Sequence, residues 1–461
     1  VGAGWRRADL EKPAGTLDNA AAMFRPLVRL VLLLSALVSP VLAQDGDALT
    51  SDQAVAAFEE AWQRVHDTHF DKDFNGVDWA AVKEELRPEA AKARSREEVR
   101  DVINRMLARL GQSHFAVIPS GVLPDMDAPA EHAEGAGGLG FDVRYHDGRM
   151  LVVRVDPGGA AEAAGVKTGW ALERLGSYAI GDHARKAAAS GVLDDRKHGL
   201  RLWSGTYPRI AGAVGSHEQV VFLDGADERV ELDLERRARD VTPHDAGMGL
   251  PTFYLEFHKR IIEKDGKRIG VIAFSNWFLP VVAGINEAMD EMRGCDGIVL
   301  DLRGNTGGAA PMTMGVAGHF FGETKRLGVI QTRDTRVNIV ALPRFTNTKG
   351  EPVEPFAGPV ALVVDDTSGS ASEVFAGGMQ SVGRVRVFGS TTAGAVLPAM
   401  TTRLPSGDTL LHAMGDFVTA TGEHLEGGGV VPDVVVPLDR ARLLAGEDAA
   451  LEAALQWITS R

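Results

Sequence analysis

The chain reads as an α/β protein in three parts: a helical region, a small β-rich module, and a core of alternating strands and helices. Three observations predict this. From residue 268 onward, short apolar runs alternate with segments of helical periodicity, the pattern of a largely parallel sheet flanked by helices. Residues 135–237 instead carry short strand-like runs between glycine-rich turns, and residues 51–110 place apolar residues at helical spacing behind capping signals. The expected bounds are 1–43 for an upstream extension and signal peptide, 44–118 for the helical domain, 135–240 for the module, 252–440 for the core and 441–461 for a C-terminal helix.

Composition agrees with a large buried core, since 44% of the 461 residues are hydrophobic and 24% charged. The formal charge of −14 and the lack of a basic run argue against nucleic acid or an anionic membrane surface as a partner. The single cysteine, Cys295, excludes an intramolecular disulfide framework. Near the start, Arg25 and Arg29 precede the apolar run 30–38, and Val41-Leu42-Ala43 ends it in a small-residue cleavage site. That is an export signal, too short to span a bilayer, and no cysteine follows it to carry a lipid. The mature protein is expected to be exported, periplasmic or secreted, with no stable membrane span. Residues 1–22 precede the signal without pattern and read as an over-extended translation start.

In the helical region, Asp52 is positioned to cap a helix carrying Val55, Phe58, Trp62 and Val65, and Val77-Asp78-Trp79 opens a second. Ser95-Arg-Glu-Glu98 is a capping box for a third, with Val99, Val102, Ile103, Met106 and Leu110. His66-x-x-His69 has a spacing open to a metal, but no third ligand accompanies it. Surface or packing histidines fit better, and no metal is expected. Gly111-Gln-Ser113-His114-Phe then leads into the apolar run 115–118, and a histidine at such a junction is a candidate base.

In the module, Gly138-Leu139-Gly140-Phe141 precedes a strand at 150–155, a turn and short helix at 156–170, and a further strand at 172–175. Residues 187–211 are read as an insertion, and the runs 220–223 and 230–234 around Asp224-Gly225 as a closing hairpin. Residues 242–252 form a linker. The core places strands at 268–274, 297–302, 360–364 and 385–388, with helices at 281–292 and 311–321. Two loops past strand ends attract chemistry. The first is Asp301-Leu-Arg-Gly-Asn305-Thr-Gly307-Gly308, a ligand-facing position in open α/β sheets, though it lacks the lysine-serine pair of a phosphate loop. The second is Ser370-Ala371-Ser372-Glu373, which opens a helix after the buried run 360–364. On its own it reads first as a capping box, and otherwise as a nucleophile beside unpaired N–H groups able to hold an oxyanion.

Two resemblances organise these pieces. The module resembles a PDZ domain in its order of parts, with Gly138, Leu139, Gly140 and Phe141 as the carboxylate-binding loop and residues 160–170 as the short helix leading to a strand. The whole order, from helical region through PDZ-like module to a core carrying D-x-R-x-N-x-G-G and S-x-S-E, resembles the C-terminal-processing, or tail-specific, serine peptidases. The resemblance covers residues 51 to 437. It implies an α/β core of the Clp-protease/crotonase type, Ser370 as nucleophile, oxyanion donors at the backbone N–H groups of Gly307 and Ala371, structural roles for Ser368 and Ser372, polypeptide substrates engaged through C-terminal tails, and no metal or organic cofactor.

The departure is equally informative. Most such peptidases pair the serine with a lysine in a threonine-x-glycine-lysine stretch. Here Thr392-Ala-Gly394-Ala395 puts alanine in that place, and no lysine follows Lys349. A serine without a base is a poor nucleophile at neutral pH. The tricorn-like branch of the family implies a Ser-His-Ser-Glu tetrad instead, with a Ser-His pair before the PDZ region and a glutamate before glycines near the core's end. Ser113-His114 and Glu426, which precedes Gly427-Gly428-Gly429, match those positions; Glu423 competes with Glu426, and His412 and His424 are rival bases. The expectation is a serine endopeptidase whose PDZ-like module binds or gates C-terminal tails. The alternative is a non-catalytic peptide- or ligand-binding protein on the same fold.

Overall fold

The computed structural model describes residues 48–120, 136–190, 195–245 and 252–461. The signal expected at 23–43 lies outside them. Three helices open the described chain: α1 (Ser51–Thr68), α2 (Trp79–Ala90) and α3 (Arg96–Ala108). The cap of α1 is Thr50 rather than Asp52. Its hydroxyl accepts from Gln53 N at 3.2 Å, while Gln53 Oε1 accepts from Thr50 N at 2.9 Å, a reciprocal pair that Asp52, inside the first turn, cannot make. Asp78 and Ser95 cap the other two as expected. Glu98, however, accepts from Arg94 N at 2.6 Å, one residue upstream of its own cap.

The helices bury Phe58, Val65, Trp79, Ile103 and Met106 against one another. They are not a self-contained domain. β1 (Ala116–Ile118) pairs antiparallel with Thr409–Ala413, and Leu404 and Leu410 from that distant hairpin are buried in the helical core. The sequence boundary at 118 therefore cuts a shared core.

The module is a five-stranded antiparallel sheet in the order β2-β3-β4-β5-β6, formed by β2 (Phe141–His146), β3 (Arg149–Val155), β4 (Ala171–Leu175), β5 (His217–Leu223) and β6 (Arg229–Glu235). Between β4 and β5 the chain forms α4 (Ile180–Ser190) and α5 (Asp195–Ile210), and α5 lies along the edge strand β2. The stretch read as an insertion is thus largely helix.

The core sheet runs β7-β8-β9-β12-β13-β17, from β7 (Phe257–Lys264), β8 (Lys267–Phe274), β9 (Gly297–Asp301), β12 (Val360–Val364), β13 (Arg386–Gly389) and β17 (Val434–Val435). β7 is antiparallel to β8, and the remaining pairs are parallel. Side chains alternate between its faces as a strand period of two requires. Ile298, Leu300, Val360 and Leu362 meet the layer of α6 (Leu279–Met292), α7 (Ala310–Ala317) and α8 (Ala371–Ser381), whereas Val299, Ala361 and Val363 meet α10 (Ala449–Thr459). Between the module and α10 runs α9 (Arg440–Leu444), whose Arg440 donates to the carbonyls of Gly169 and Asp224 in the module. Two antiparallel additions were not expected from sequence: β11-β10-β16, from β10 (Lys325–Thr332), β11 (Arg336–Ala341) and β16 (Gly415–Thr419), and the hairpin of β14 (Ala399–Arg403) and β15 (Thr409–Ala413) that receives β1.

Candidate active site

The parallel strands β9 and β12 both end at one edge of the sheet, and the two glycine- and serine-bearing loops leave from there. Ser370 is the N-cap of α8, 6% exposed, with φ 51° and ψ −117°. A non-glycine residue in that region costs about 1–3 kcal/mol and persists only where its surroundings hold it. The holders are specific. Ser370 N donates to Ala395 O at 2.9 Å and to Glu373 Oε2 at 3.2 Å. Ser372 is buried, donating to Asn305 O and accepting from Trp277 Nε1, each at 2.9 Å. Ser368 donates to Leu302 O at 2.8 Å and accepts from Asp365 N at 3.0 Å.

Glu373 joins the nucleophile loop to the stretch where a lysine is missing. Its carboxylate accepts from Thr392 Oγ1 (2.5 Å), Gly394 N (2.8 Å) and Ala395 N (2.9 Å) in addition to Ser370 N. Burial pushes it up to about 7, against four donors that favour the ionised form. Ala395 is itself buried, and its chain segment carries backbone contacts instead of a base.

The glycine-rich loop is packed against the serine. A Cβ on Gly307 would lie 2.6 Å from that of Ser370, and φ at Gly307 is 113°, so no other residue fits there. The sequence-predicted oxyanion donors differ in availability. Ala371 N–H makes no hydrogen bond among the described residues, as befits the first turn of a helix. Gly307 N–H, by contrast, donates to Asn305 Oδ1 at 3.0 Å, because the asparagine closes the turn that its own Nδ2 anchors to Phe274 O. The neighbouring Gly308 N–H is unbonded among the described residues. In the same motif, Asp301 and Arg303 pair with each other, and Arg303 grips Asp448 at the start of α10, which makes them a brace for the C-terminal helix.

Ser113, His114 and Glu426 come together from opposite ends of the chain. Glu426 accepts from Ser113 N at 2.7 Å through Oε1, and from Ser113 Oγ at 2.9 Å through Oε2. Ser113 Oγ lies 2.8 Å from His114 Nδ1. A hydroxyl has one proton, and this one goes to the carboxylate, so the network assigns the imidazole proton to Nδ1 and leaves Nε2 as a lone pair. Nε2 is buried and has no hydrogen-bond partner among the described residues. The Ser370 hydroxyl is therefore not bonded to it in this structure. Burial lowers His114 to about 4 and raises Glu426, the latter opposed by its bonds from Ser113 and Val396.

One peptide links the two groups. Val396 N donates to Glu426 Oε2 at 3.1 Å, while the adjacent Ala395 bonds Ser370 N through its carbonyl and Glu373 through its N–H. Glycines permit this approach, since a Cβ on Gly394 would meet Gly427 at 2.9 Å and one on Gly429 would meet Thr392 O at 2.6 Å. Glu423 is exposed and away from Ser113, so Glu426 is the glutamate that meets it. His412 is buried between Thr68 and Thr402, and His424 is exposed and paired with Asp416. His66 pairs with Asp67 and His69 with Gln112, and no group of metal-ligating side chains converges among the described residues.

The loop read as carboxylate-binding is partly consumed by the module itself. Gly138 pairs with Ala211 and Arg237, Leu139 N donates to Ile210 O at 3.3 Å, and the Leu139 and Phe141 side chains are core residues. Gly140 turns with φ 83°, and its carbonyl accepts from Asp156 N at 2.9 Å. The module instead makes strong contacts with the site. Arg144, on β2, donates to Asp365 Oδ2 at 2.6 Å and to Asp142 Oδ2 at 2.7 Å. Burial works against both ends of this pair, yet Arg144 holds Asp365 below its ordinary value, while the adjoining Asp366 is pushed up to about 7 by burial beside Asp365. Arg196, on α5, donates to the carbonyls of Thr392, Gly427 and Gly428.

Residues 268–436 match the model of peptidase family S41, and residues 55–108 match the tricorn protease C1 domain. The carboxyl-terminal-processing protease of Picosynechococcus sp. is 23% identical over 440 residues, spanning 94% of this chain and 95% of that protein. Tricorn protease homolog 1 of Streptomyces coelicolor is 25% identical over 403 residues, 86% of this chain but 34% of that protein. Among solved structures, the photosystem II D1 C-terminal processing protease superposes with a TM-score of 0.56 at 24% identity, covering 87% of this chain and 99% of that one, a likeness of fold. Among the described residues, no helix is long and apolar enough to cross a membrane.

Proposed function

We propose that the chain, whose residues 268–436 match peptidase family S41, cleaves polypeptides with Ser370 as nucleophile and His114 as general base, in a Ser-His-Ser-Glu arrangement in place of a serine-lysine pair. The observation that carries this reading is the hydrogen-bonded chain Glu426–Ser113–His114, which leaves a buried Nε2 lone pair with nothing to do. A binding protein on the same fold would gain nothing from it. On substrate engagement Nε2 takes the Ser370 proton as the hydroxyl attacks the scissile carbonyl, and later returns it to the leaving amine. Glu426 acts through Ser113 to fix the imidazole and to stabilise the imidazolium. The oxyanion is held by Ala371 N–H and by a donor from the 307–308 turn, where Gly308 is free and Gly307 would be shared with Asn305.

The PDZ-like module serves in this reading as a gate on the site. Its Arg144 and Arg196 hold the loops that flank Ser370 and Glu426, so a C-terminal tail that displaces or reorients the module would change those loops directly. In this reading the protein acts after export, in a periplasm or outside the cell, as the export signal expected at 23–43 implies.

The test is labelling by a fluorophosphonate probe together with casein hydrolysis, comparing the wild type with Ser370→Ala and His114→Ala. Labelling confined to the wild type, with casein cleavage lost in both variants, is the expected result. Wild-type labelling in all three proteins would refute the mechanism.

A further inference from the structure

The base side of the site contains a histidine that the reaction does not use. His69 follows α1, is fully buried, and sits at the end of the His66-x-x-His69 motif. Its Nε2 lies 2.9 Å from the Gln112 side-chain amide, and its Nδ1 faces the Asp71 backbone, 2.7 Å from the carbonyl and accepting from Asp71 N at 3.2 Å. The face of the same ring stacks on Phe115, with centroids 5.7 Å apart and planes 17° from parallel. One side chain thus touches the residue before and the residue after the dipeptide Ser113-His114.

That dipeptide needs holding. His114 has φ 61°, in the left-handed region that a non-glycine residue enters at a cost its surroundings must cover. On the far side, β1 holds the dipeptide through pairing with β15 and through Val117 N bonded to Asn104 Oδ1 at 2.9 Å. On the near side, Leu110 O accepts from Asn75 Nδ2 at 2.9 Å, and Gln112 has His69. We infer that His69 is a positioning residue for the base: it fixes the turn that aims His114, through its hydrogen bond to Gln112 and its stack on Phe115. A histidine suits the place because it offers a flat face and two polar edge atoms at once. Phenylalanine would keep the stack and lose both bonds.

This inference rests on His114 being the base. The experiment compares His69→Phe and Gln112→Ala, singly and together, in the wild-type and His114→Ala backgrounds, reading kcat and KM on casein, fluorophosphonate labelling rate and Tm. Misplacing a catalytic group by a fraction of an ångström supports an expected fall in kcat of about tenfold, with KM within about twofold. The double variant should lose no more than either single one, and neither substitution should reduce the residual rate further once His114 is alanine. Should His69→Phe fail to fold, Gln112→Ala removes the same bond from a half-buried residue. Wild-type kcat in Gln112→Ala, or an added loss in the His114→Ala background, overturns the positioning role while leaving the base assignment intact. Full activity of His114→Ala instead overturns the base assignment and this inference with it.

Discussion

The two halves of the candidate site are built on opposite principles. The nucleophile comes from a local unit, β12, a turn and α8, whose hydrogen bonds largely stay within the loops at one sheet edge. The proposed base comes from a long-range assembly, in which Ser113 and Glu426 are 313 positions apart and the pairing of β1 with β15 joins the two regions. A strained serine can be stamped by its own turn, whereas a base without a lysine must be imported. With alanine at position 395, the proposed mechanism depends less on local geometry than on the correct docking of two regions.

The largest effect should come from breaking each half at its chemical group. Ser370→Ala and His114→Ala are each expected to lower kcat by about 10³-fold or more, and the combined variant should be no worse than the single ones, since they act as a unit. Additive losses in steady-state assays would mean that the halves work separately. Next, Leu410→Ala attacks the docking without touching the site. Leu410 is fully buried against the helices, so the cost is about 2–5 kcal/mol in denaturant unfolding. Loss of fluorophosphonate labelling at lower denaturant than loss of core secondary structure would show the base half detaching first. Simultaneous loss would show one cooperative unit.

A smaller effect is expected for Glu426→Gln, about 10- to 100-fold in kcat, because the amide still occupies the pocket but no longer favours the imidazolium. An unchanged kcat would remove Glu426 from the relay. The smallest is a matter of pH. His114 must be neutral to accept a proton, and burial lowers it from 6.5 to about 4, so the acid limb of kcat should lie near 4 and not near 6.5. The same burial costs stability on acidification. The unfolded chain protonates this histidine below about 6.5 and the folded chain only near 4, so its contribution is intact above 6.5 and falls through that window. His319 and His412, lowered to about 3 and about 4, act in the same direction. Glu373 and Asp366, raised to about 7, act the other way, their contribution present below the ordinary carboxyl range and lost as pH rises through 7. A pH series of denaturant melts on the wild type and His114→Gln separates the histidine's share.

What was readable in sequence follows the same division. The strand, turn and helix around Ser370 were legible because buried runs and cap residues are local signals. The strands β10, β11 and β14–β16 were not: β10–β11 and β14–β15 are hairpins of short strands, and their further partners, β16 for β10 and β1 for β15, lie far off in the chain. The spatial meeting of Ser113 with Glu426 had no periodic signature at all and came from the order of motifs. The state of Gly307 N–H was hidden for a different reason: a motif prescribes which residues form a turn, while Asn305 decides which N–H of that turn is left over. His69 reads from its spacing to His66 as a surface or packing histidine, a reading that carries no sign of Gln112 as its partner.

The hairpin β14–β15, lodged among the helices of the opposite end of the chain, has a consequence for the timing of activity. In the proposed mechanism, a chain still being made has His114 first, then Ser370, and last Glu426, the carboxylate that Ser113 meets. Until Leu404 and Leu410 find their place in the helical core, Ser113 has no carboxylate to meet. If that mechanism holds, activity waits on the docking of this hairpin into the helical core, and a copy in which it has not docked lacks an oriented base.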